Sequence, residues 1–495
     1  MAAPALVQQI TLGLTWPEMN PIFHLIFVDL FIRVALVIFV LIRKSRNPQA
    51  ALVWVILLLG LPIFGLILYL LFGESRLGYW RRKRHARAVA AVDCPQVRAN
   101  ADPAAAATLP HREAQIARLA DHVSDANPVK GNHLKLFGDS EEFIDTLIAD
   151  IDAAQRSVHI LTFIYLTDQS GKKLANAMMR AAKRGIECRL LVDAAGSRKF
   201  LKSSLYKEIK ESGVKTAACL PVNTLRLLFS RLDLRNHRKI AVIDGQVGYT
   251  GSNNIADAAF AVKAKFAPWV DCTVRIDGPA TKELQVLFLT DWYMETDEFV
   301  EHELYFRPVI YDKGLTVQII ATGPNFYTEA TTQIVQGCMQ VANREIVLTT
   351  PYFVPDESTI TNLCVSARRG VKTSLVVPKR NDSRLVAAAS RSNYAPLLEA
   401  GVEIREFRKG LLHAKTITID KDIAIVMSAN LDRRSYQLNF ECGAIIYDSD
   451  FASELRFQQQ YYMENSDLID PTSWPKRKIR TRVWETAVGL LSPLL

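Results

Sequence analysis

An internal repeat restricts the possible folds of this chain more than any other feature. SVHILTFIYLTD at residues 157–168 is matched by EIVLTTPYFVPD at 345–356, and RGIECRLLVD at 184–193 is matched by RGVKTSLVVP at 369–378. In both copies an apolar β-rich run is followed by a helix end at Arg-Gly and then by a buried strand. The order strand, helix, strand, helix, strand, strand occurs twice. The sequence therefore predicts two α/β halves related by duplication and by a pseudo-two-fold axis.

Each half also carries the same set of polar residues. The first half contains NHRKIAVIDGQVGYTGSNN and the second contains HAKTITIDKDIAIVMSAN. Histidine, lysine and aspartate stand at i, i+2 and i+7, and serine and asparagine follow at equal offsets: His237, Lys239, Asp244, Ser252, Asn254 and His413, Lys415, Asp420, Ser428, Asn430. Strand alternation puts the histidine and the lysine of each motif on the same face, where both can contact one anion. Two copies at equivalent places indicate a functional site rather than two solvated strand ends.

These residue types suit displacement at phosphorus. Two histidines brought together across a pseudo-two-fold axis supply a nucleophile and a general acid. Lysine and asparagine side chains donate hydrogen bonds, which hold phosphoryl oxygens and stabilise the charge that develops on them. No carboxylate cluster suited to Mg²⁺ accompanies the motifs. We therefore predict a reaction that needs no metal and no other cofactor.

Charge and cysteine content narrow the class of protein. The net charge of +9 predicts an acidic partner, either nucleic acid or an anionic membrane surface. The 7 cysteines form no CxxC pair and no metal-ligand cluster, and an odd number suits a reducing compartment. A disulfide framework and a cysteine metal site are therefore not expected.

Two apolar segments near the N-terminus predict a membrane anchor. The segment Ala51–Phe72 has no charged residue and matches the thickness of the hydrocarbon core, which predicts a transmembrane helix. The segment Ile22–Ile42 is also long enough, and its Asp29 and Arg33 are placed to pair on one helical face. A buried amphipathic helix is the alternative for this second segment. More basic residues follow the hairpin than lie in its loop, so the rest of the chain is expected in the cytoplasm.

The chain is expected to contain five regions. They are a transmembrane hairpin (1–75), a basic juxtamembrane and alanine-rich linker that includes a short helix (76–130), the first half (131–310), the second half (311–470) and a basic C-terminal tail (471–495). The tail PKRKIRTR with VWETAVGLLSPLL is expected to lie on an anionic membrane, or else to form a basic loop and a helix packed on the domain. Extra residues just before the first motif, within PVNTLRLLFSRLDLRN, fit either a lipid-docking element or an ordinary loop.

The paired motifs resemble those of the phospholipase D superfamily, and the whole chain resembles its bacterial cardiolipin synthase branch. The resemblance covers the hairpin with NPQAALVWVI, the first motif RNHRKIAVIDG with TGSNNIAD, the second motif LHAKTITID with SANLDRRSYQLNFE, and the C-terminal SPLL. Met427 departs from the family pattern, which usually has glycine before Ser-x-Asn. Ser428 and Asn430 are nevertheless retained.

This resemblance implies two pseudo-symmetric phospholipase D-like halves with the site at their interface, and a covalent phosphohistidine intermediate. One phosphatidylglycerol would give its phosphatidyl group to a histidine and release glycerol, and a hydroxyl of a second phosphatidylglycerol would then form cardiolipin. By analogy His237 is the nucleophile and His413 the general acid and then the base, although the sequence alone does not rank them. The expected location is the bacterial cytoplasmic membrane, with phosphatidylglycerol and an anionic bilayer as partners and no nucleic acid.

The other site residues follow from the same resemblance. Four donors are expected to bind the phosphate, with two serines beside them: Lys239, Lys415, Asn254, Asn430, Ser252 and Ser428. Asp244 and Asp420 are expected to pair with basic groups and to stabilise the fold. Asp271 and Glu441 are expected to accept the Nδ1 proton of the histidines, and a structural salt bridge is the alternative for both.

Three other functions fit parts of the pattern. A phospholipase D hydrolase would use the same residues with water as the acceptor, and a membrane-tethered nuclease would use them on a nucleic-acid phosphodiester. A non-enzymatic membrane scaffold would have no need of two intact motifs. The oligomeric state and any use of phosphatidylethanolamine as a donor are not predicted from the sequence.

Overall fold

The structure, a computed structural model, describes residues 21–43, 48–73, 79–92, 105–221, 233–300, 308–324, 329–490 and 492. The described residues up to Gly73 form one compact unit, and those from Tyr79 onwards form another. The extra segment before the first motif lies largely outside the described residues, since 222–232 are not among them.

The first unit contains three helices: α1 (Pro21–Arg43), α2 (Pro48–Gly60) and α3 (Pro62–Phe72). Pro62 divides the apolar segment that was predicted as one helix, because proline lacks an N–H and its ring clashes with the preceding turn. Leu61 accordingly leaves the helical conformation, with φ −137° and ψ 74°. Within the described residues, no helix has both the length and the apolar character needed to cross a membrane. The predicted transmembrane hairpin is therefore not confirmed.

The three helices of this unit pack on one another in sequence, with Val40, Trp54, Leu58 and Tyr69 buried between them. The predicted pair between Asp29 and Arg33 forms, with Nε and Oδ2 2.6 Å apart. The Arg33 guanidinium also donates to the backbone carbonyl of Leu59. This charged pair thus helps to hold α1 against α2.

The second unit is built on strands from both halves of the repeat. In chain order they are β1 (Val129–Phe137), β2 (Ser157–Thr162), β3 (Glu187–Asp193), β4 (Lys215–Cys219), β5 (Ile240–Ile243), β6 (Val247–Gly251), β7 (Trp269–Val270), β8 (Thr273–Asp277), β9 (Leu315–Thr322), β10 (Glu345–Thr349), β11 (Phe353–Val354), β12 (Lys372–Pro378), β13 (Glu403–Phe407), β14 (Leu411–Leu412), β15 (Thr416–Ile419), β16 (Ile423–Met427), β17 (Leu431–Asp432), β18 (Glu441–Tyr447) and β19 (Ser466–Leu468).

Helices cover this sheet and connect its strands. They are α4 (Tyr79–Val92), α5 (His111–Ser124), α6 (Ser140–Ala153), α7 (Gln169–Lys183), α8 (Ser204–Glu211), α9 (Thr281–Thr296), α10 (Ala330–Val341), α11 (Glu357–Arg368), α12 (Arg384–Ser392), α13 (Tyr394–Glu399), α14 (Arg433–Gln437), α15 (Ser449–Glu464) and α16 (Ile479–Leu490). Short 3₁₀ turns occur at Phe200–Lys202, Ala261–Phe266 and Trp474–Lys476.

One strand order occurs twice in the large sheet. The full order is β19-β13-β12-β10-β15-β16-β18-β9-β1-β8-β6-β5-β2-β3-β4. Counted outward from its centre, the first half runs β1-β8-β6-β5-β2-β3-β4 and the second runs β9-β18-β16-β15-β10-β12-β13. The equivalent strands β1 and β9 pair antiparallel at the centre, with Val129 opposite Val317. The two α/β halves predicted from the repeat are confirmed.

The motif aspartates occupy the tight turns of two equivalent hairpins. Asp244 and Gly245, between β5 and β6, both have positive φ (55° and 67°), as a type I′ turn requires. Asp420 and Lys421 do the same between β15 and β16 (54° and 63°). Asp-Gly suits such a turn because Asp tolerates, and Gly readily adopts, the left-handed region. This turn chemistry fixes the register of the strands that follow each histidine.

The region expected to be a linker contains two helices that pack on the second unit. Helix α4 lies against α9, where Arg84 pairs with Asp297 at 2.7 Å. Helix α5 contributes its apolar face, including Ile116 and Val123, to the core of the second half. The apolar face of α5 packs on the domain because its burial stabilises an amphipathic helix more than contact with water would.

The basic C-terminal segment also packs on this unit. Helix α16 lies against α12, and its Val488 contacts a small core that includes Val354 and Ala389. Glu485 is buried and pairs with Arg477 at 2.8 Å. The inner face of α16 is therefore packed on the domain, as in the second of the two alternatives given for the tail.

Candidate active site

The two histidines lie immediately before equivalent strands and are attached to the opposite half through their backbones. His237 stands three residues before β5 and donates its backbone N–H to the carbonyl of Phe440 at 2.9 Å. His413 stands three residues before β15 and donates to the carbonyl of Val270 at 2.7 Å. Each acceptor comes from the strand region of the other half, so the two motifs are held together at the interface of the halves.

Each imidazole contacts a carboxylate that belongs to the other half. Nδ1 of His237 lies 3.0 Å from Oε2 of Glu441, and Nδ1 of His413 lies 2.6 Å from Oδ1 of Asp271. The crossing follows from the backbone bonds, since these carboxylates come directly after Phe440 and Val270. The sequence placed both carboxylates on matching strands but did not show which histidine each one faces.

The two motif serines contact these carboxylates. Ser252 donates to Oδ1 of Asp271 at 2.6 Å and accepts the N–H of Cys272 at 2.9 Å. Ser428 donates to Oε2 of Glu441 and accepts a backbone N–H in the same way. Although the serines were expected beside the asparagines at the phosphate, their hydroxyls are used here to fix the carboxylates.

Two further residues that were not predicted from the sequence contact this group of histidines and carboxylates. The amide of Asn439 donates to Oε1 of Glu441 at 3.1 Å. At the corresponding position of the first half, Trp269 lies against the imidazole of His413, with ring centroids 4.6 Å apart. Because the two halves differ at this position, no repeated spacing marked either residue. Their position two residues before a carboxylate on a matching strand is the signal that was available.

The motif lysines are buried beside the histidines. Nζ of Lys239 donates to the carbonyl of His237 at 2.6 Å. Nζ of Lys415 donates to the carbonyl of His413 at 2.7 Å and also lies 2.9 Å from its Nε2. Burial lowers the pKa of Lys239 to about 8 and that of Lys415 to about 7, and the nearby carboxylates oppose both shifts. The two ammonium groups are thus poised to bind an anion near neutral pH.

The charge states of the histidines and carboxylates follow from burial and pairing. Burial lowers the pKa of each histidine to about 4, although its carboxylate partner opposes the shift. Burial alone would raise the pKa of Glu441, but His237, Lys239 and Ser428 together hold it at about 2. The same balance, with His413 and Lys415, keeps the pKa of Asp271 below its usual value. Neutral imidazoles therefore face ionised carboxylates, with a proton on each Nδ1.

This arrangement leaves the two Nε2 atoms in different environments. In the part of the chain that the structure describes, Nε2 of His237 forms no hydrogen bond, whereas Nε2 of His413 is occupied by Lys415. His237 is also the more exposed of the two, at 9% against 4%. An unprotonated nitrogen without a hydrogen-bond partner can attack an electrophile, and a nitrogen held by an ammonium group can exchange a proton with it.

The two motif asparagines differ in the hydrogen bonding of their side chains. Oδ1 of Asn254 accepts the backbone N–H of Ile164 at 3.1 Å, which leaves its amide N–H groups for another acceptor. Asn430 is buried, and its Oδ1 has no hydrogen-bond partner among the described residues. Buried polar atoms are normally paired, so an orphan at this position fits a site that binds a polar ligand.

The motif aspartates lie at the far ends of the same strands, seven residues from the histidines, which is roughly 23 Å of extended chain. Asp244 accepts the backbone N–H groups of Gln155, Arg156 and Ser157 at 2.7 to 2.9 Å. Asp420 accepts three equivalent N–H groups, and Arg112 from α5 pairs with it at 2.7 Å. Basic partners were expected for both, but Asp244 is held by backbone amides instead. Both carboxylates tie a hairpin to its neighbouring strand.

Comparisons with known proteins agree with this geometry. The family model described as "Cardiolipin synthase, PLD-like domain" matches residues 147–292 and 335–461, and the model "Phospholipase_D-nuclease N-terminal" matches residues 34–74. Cardiolipin synthase A of Edwardsiella ictaluri is 37% identical over 467 residues, which cover 92% of this chain and 95% of that protein. Cardiolipin synthase A of Yersinia pseudotuberculosis is 35% identical over 468 residues, with the same coverage.

A solved structure shares the fold. The crystal structure of phosphatidylserine synthase from Haemophilus influenzae matches 78% of this chain and 100% of that one, with a TM-score of 0.59 and 13% sequence identity. The paired motifs, the duplicated sheet and the matches over almost the whole length lead to one conclusion. The chain belongs to the cardiolipin synthase family of phospholipase D-like proteins.

Proposed function

We propose that this chain is a cardiolipin synthase that transfers a phosphatidyl group from one phosphatidylglycerol to another, giving cardiolipin and glycerol. The crossed pairing of each histidine with a carboxylate of the opposite half supports this proposal, since it provides two neutral imidazoles of fixed orientation at one site. The family membership of the chain and the names of its relatives support the choice of substrate.

In the first step, Nε2 of His237 attacks the phosphorus of a phosphatidylglycerol. A nitrogen–phosphorus bond forms, the bond from phosphorus to the glycerol headgroup oxygen breaks, and His413 gives a proton to the departing oxygen. Nδ1 of His237 remains bonded to Glu441, whose charge stabilises the cationic phosphohistidine. The unoccupied Nε2 of His237 supports this division of roles, which the resemblance suggested only by analogy.

His413 is neutral in the free protein, so it must gain a proton before it acts as an acid. A bound phosphodiester adds negative charge to the site, which raises the pKa of nearby cationic groups. Lys415 lies 2.9 Å from Nε2 of His413 and, with its lowered pKa, is a suitable proton source. The contact between these two groups thus allows Lys415 to protonate His413.

In the second step, His413 removes a proton from a headgroup hydroxyl of a second phosphatidylglycerol. The oxygen attacks phosphorus, the nitrogen–phosphorus bond breaks, and cardiolipin leaves with His237 neutral again. Lys239, Lys415 and the amides of Asn254 and Asn430 hold the phosphoryl oxygens through both steps. Ser252, Ser428, Asp271 and Glu441 keep the imidazoles in place.

We further propose that the first unit associates with the bacterial cytoplasmic membrane and that the second unit works on its cytoplasmic side. Large apolar side chains are exposed along the described helices of the first unit, including Phe31 at 67% and Ile63 at 78%. Large apolar side chains exposed in this number fit lipid better than water. The same membrane would supply the phosphatidylglycerol.

The reaction is tested by incubating the reconstituted full chain with phosphatidylglycerol that carries separate labels in its acyl chains and its headgroup, with EDTA present. We expect cardiolipin and glycerol in equal amounts, and no cardiolipin from His237→Ala or His413→Ala. His111→Ala, at an exposed position at the start of α5, is the matched control and should retain activity.

Other products would identify the alternatives. Phosphatidic acid as the sole lipid product would show a hydrolase, and cleavage of single-stranded DNA or RNA without lipid turnover would show a nuclease. Loss of turnover with EDTA would overturn the metal-free mechanism. Normal turnover by either histidine variant would refute the assigned roles.

A further inference from the structure

The C-terminal helix α16 presents apolar side chains on two opposite faces. Its inner face, centred on Val488, packs on α12 as described above. Its outer face carries Ile479, Val483 and Leu490, which are 67%, 60% and 72% exposed. At about 100° per residue these three lie within roughly 40° of one another and on the side away from Val488. A helix that is already packed by one face has no folding need for this second stripe.

The charges around the outer stripe are of one sign. Four basic side chains of the segment are exposed: Lys476, Lys478, Arg480 and Arg482. The single acidic residue between Trp474 and Leu490 is Glu485, which is buried against Arg477. Arg480 and Arg482 project to either side of the stripe on the same helical wheel. An apolar stripe flanked by cations is the pattern of a helix that lies in the interface of an anionic membrane.

We propose that the outer face of α16 docks on the surface of an anionic phospholipid bilayer. Ile479, Val483 and Leu490 enter the boundary between headgroups and acyl chains, and the flanking arginines contact lipid phosphates. A second copy of the chain fits this face poorly, because two-fold symmetry would bring like positive charges together across the interface.

The packing of α16 connects this surface to the candidate active site. Val488 shares a small core with Val354 of β11, and β11 pairs with β17, which begins directly after Asn430. A bilayer held by α16 would therefore be held by the element next to the proposed phosphate-binding residues. In this respect the inference rests on the proposed function, because only a lipid substrate needs the site at the headgroups. The docking itself does not depend on the reaction.

The test uses the full chain reconstituted in vesicles, with an environment-sensitive dye on Val483→Cys. Thr481→Cys, exposed on the opposite side of the same helix, is the matched control, and the wild-type chain labelled in parallel gives the background from natural cysteines. With phosphatidylglycerol in the bilayer we expect blue-shifted emission and quenching by brominated lipid at position 483, and little of either at 481. Each of Arg480→Gln and Arg482→Gln should weaken docking about five-fold.

Two results would overturn the docking surface. One is equal quenching at positions 483 and 481, and the other is quenching at 483 that is as strong in neutral phosphatidylcholine vesicles and unaffected by the arginine changes. Repeating the measurement in His413→Ala separates docking from chemistry, since that variant should dock normally without turnover. Docking without cardiolipin formation by the wild-type chain would refute the proposed function and leave the surface intact.

Discussion

The crossed carboxylates allow the two chemical roles to be separated with one artificial substrate. We predict that Glu441→Gln and Asp271→Asn both suppress cardiolipin formation, but for different reasons. In the mechanism we propose, Glu441 stabilises the positive charge that His237 acquires when it bonds to phosphorus, whereas Asp271 orients His413, which protonates the leaving group. A phosphatidyl-p-nitrophenol releases an acidic leaving group that departs without protonation. Reaction of this substrate should therefore not need a proton from His413, but it should still need Glu441 to stabilise the charge on His237.

The size of the Glu441 effect can be worked from the contact. The carboxylate is buried and its Oε2 lies 3.0 Å from Nδ1 of His237. Two unit charges about 4 Å apart interact by about 4 kcal/mol at an effective dielectric constant of about 20. Glutamine keeps the volume and one neutral hydrogen bond of about 1 kcal/mol. We therefore expect a loss of about 3 kcal/mol in the first step, or a roughly 150-fold slower burst.

The assay is the rapid release of p-nitrophenolate in the pre-steady state, with the substrate in excess over the enzyme. Asp271→Asn and His413→Ala should give a burst near the wild-type rate, which then stops at one equivalent per site because the second step lacks its base. Glu441→Gln should give a slow burst, and Glu441→Asp should recover part of it. Asp145→Asn, at an exposed carboxylate on α6, is the control for surface charge. A fast burst in Glu441→Gln together with a slow one in Asp271→Asn would reverse the assignment of the histidines.

Three further predictions follow from the same contacts. The kcat/KM should be highest between about pH 4 and pH 7. The histidines are neutral above their pKa of about 4, and Lys415 loses its proton as the pH rises through about 7. A kcat/KM that stays constant up to pH 9 would contradict this prediction. Asp420→Ala should lower the free energy of unfolding by about 3 kcal/mol in urea, since three partly buried N–H groups lose their acceptor, with kcat per folded molecule within about two-fold of wild type. Asn439→Ala should lower kcat about ten-fold with little change in KM, because Glu441 loses a hydrogen bond that orients it; an altered KM alone would place Asn439 at the substrate instead.

The repeat and the motif spacing were sufficient to predict the duplicated sheet. Strand alternation and repeated order are local properties of the chain, and the two halves share both. The motifs also identified the histidines and lysines, because the same residue types recur at the same offsets. What recurs in both halves was therefore accessible from the sequence.

Other features depended on contacts that local patterns do not encode. The pairing of His237 with Glu441 spans 204 residues and is set by the antiparallel junction of β1 with β9. The break at Pro62 interrupts an otherwise uniform apolar run, and hydropathy alone gives no weight to backbone geometry. The region of α4 and α5 was predicted to be a linker with a short helix, because it is basic and alanine-rich, and the packing of both helices on the second unit was not predicted. Their burial depends on partners such as Asp297 and Asp420 far along the chain.

The crossed pairing has a consequence for a chain that is still being synthesised. The first half leaves the ribosome with His237 and Lys239 in place, but the carboxylate that orients His237 is 204 residues further on. Domains fold in the order in which they emerge, so the first half can be folded well before Glu441 exists. Such a fragment would carry an unoriented imidazole and no acid. By the mechanism we propose, a nascent or truncated chain of this kind would lack the groups needed to cleave membrane phospholipids before it could join them again.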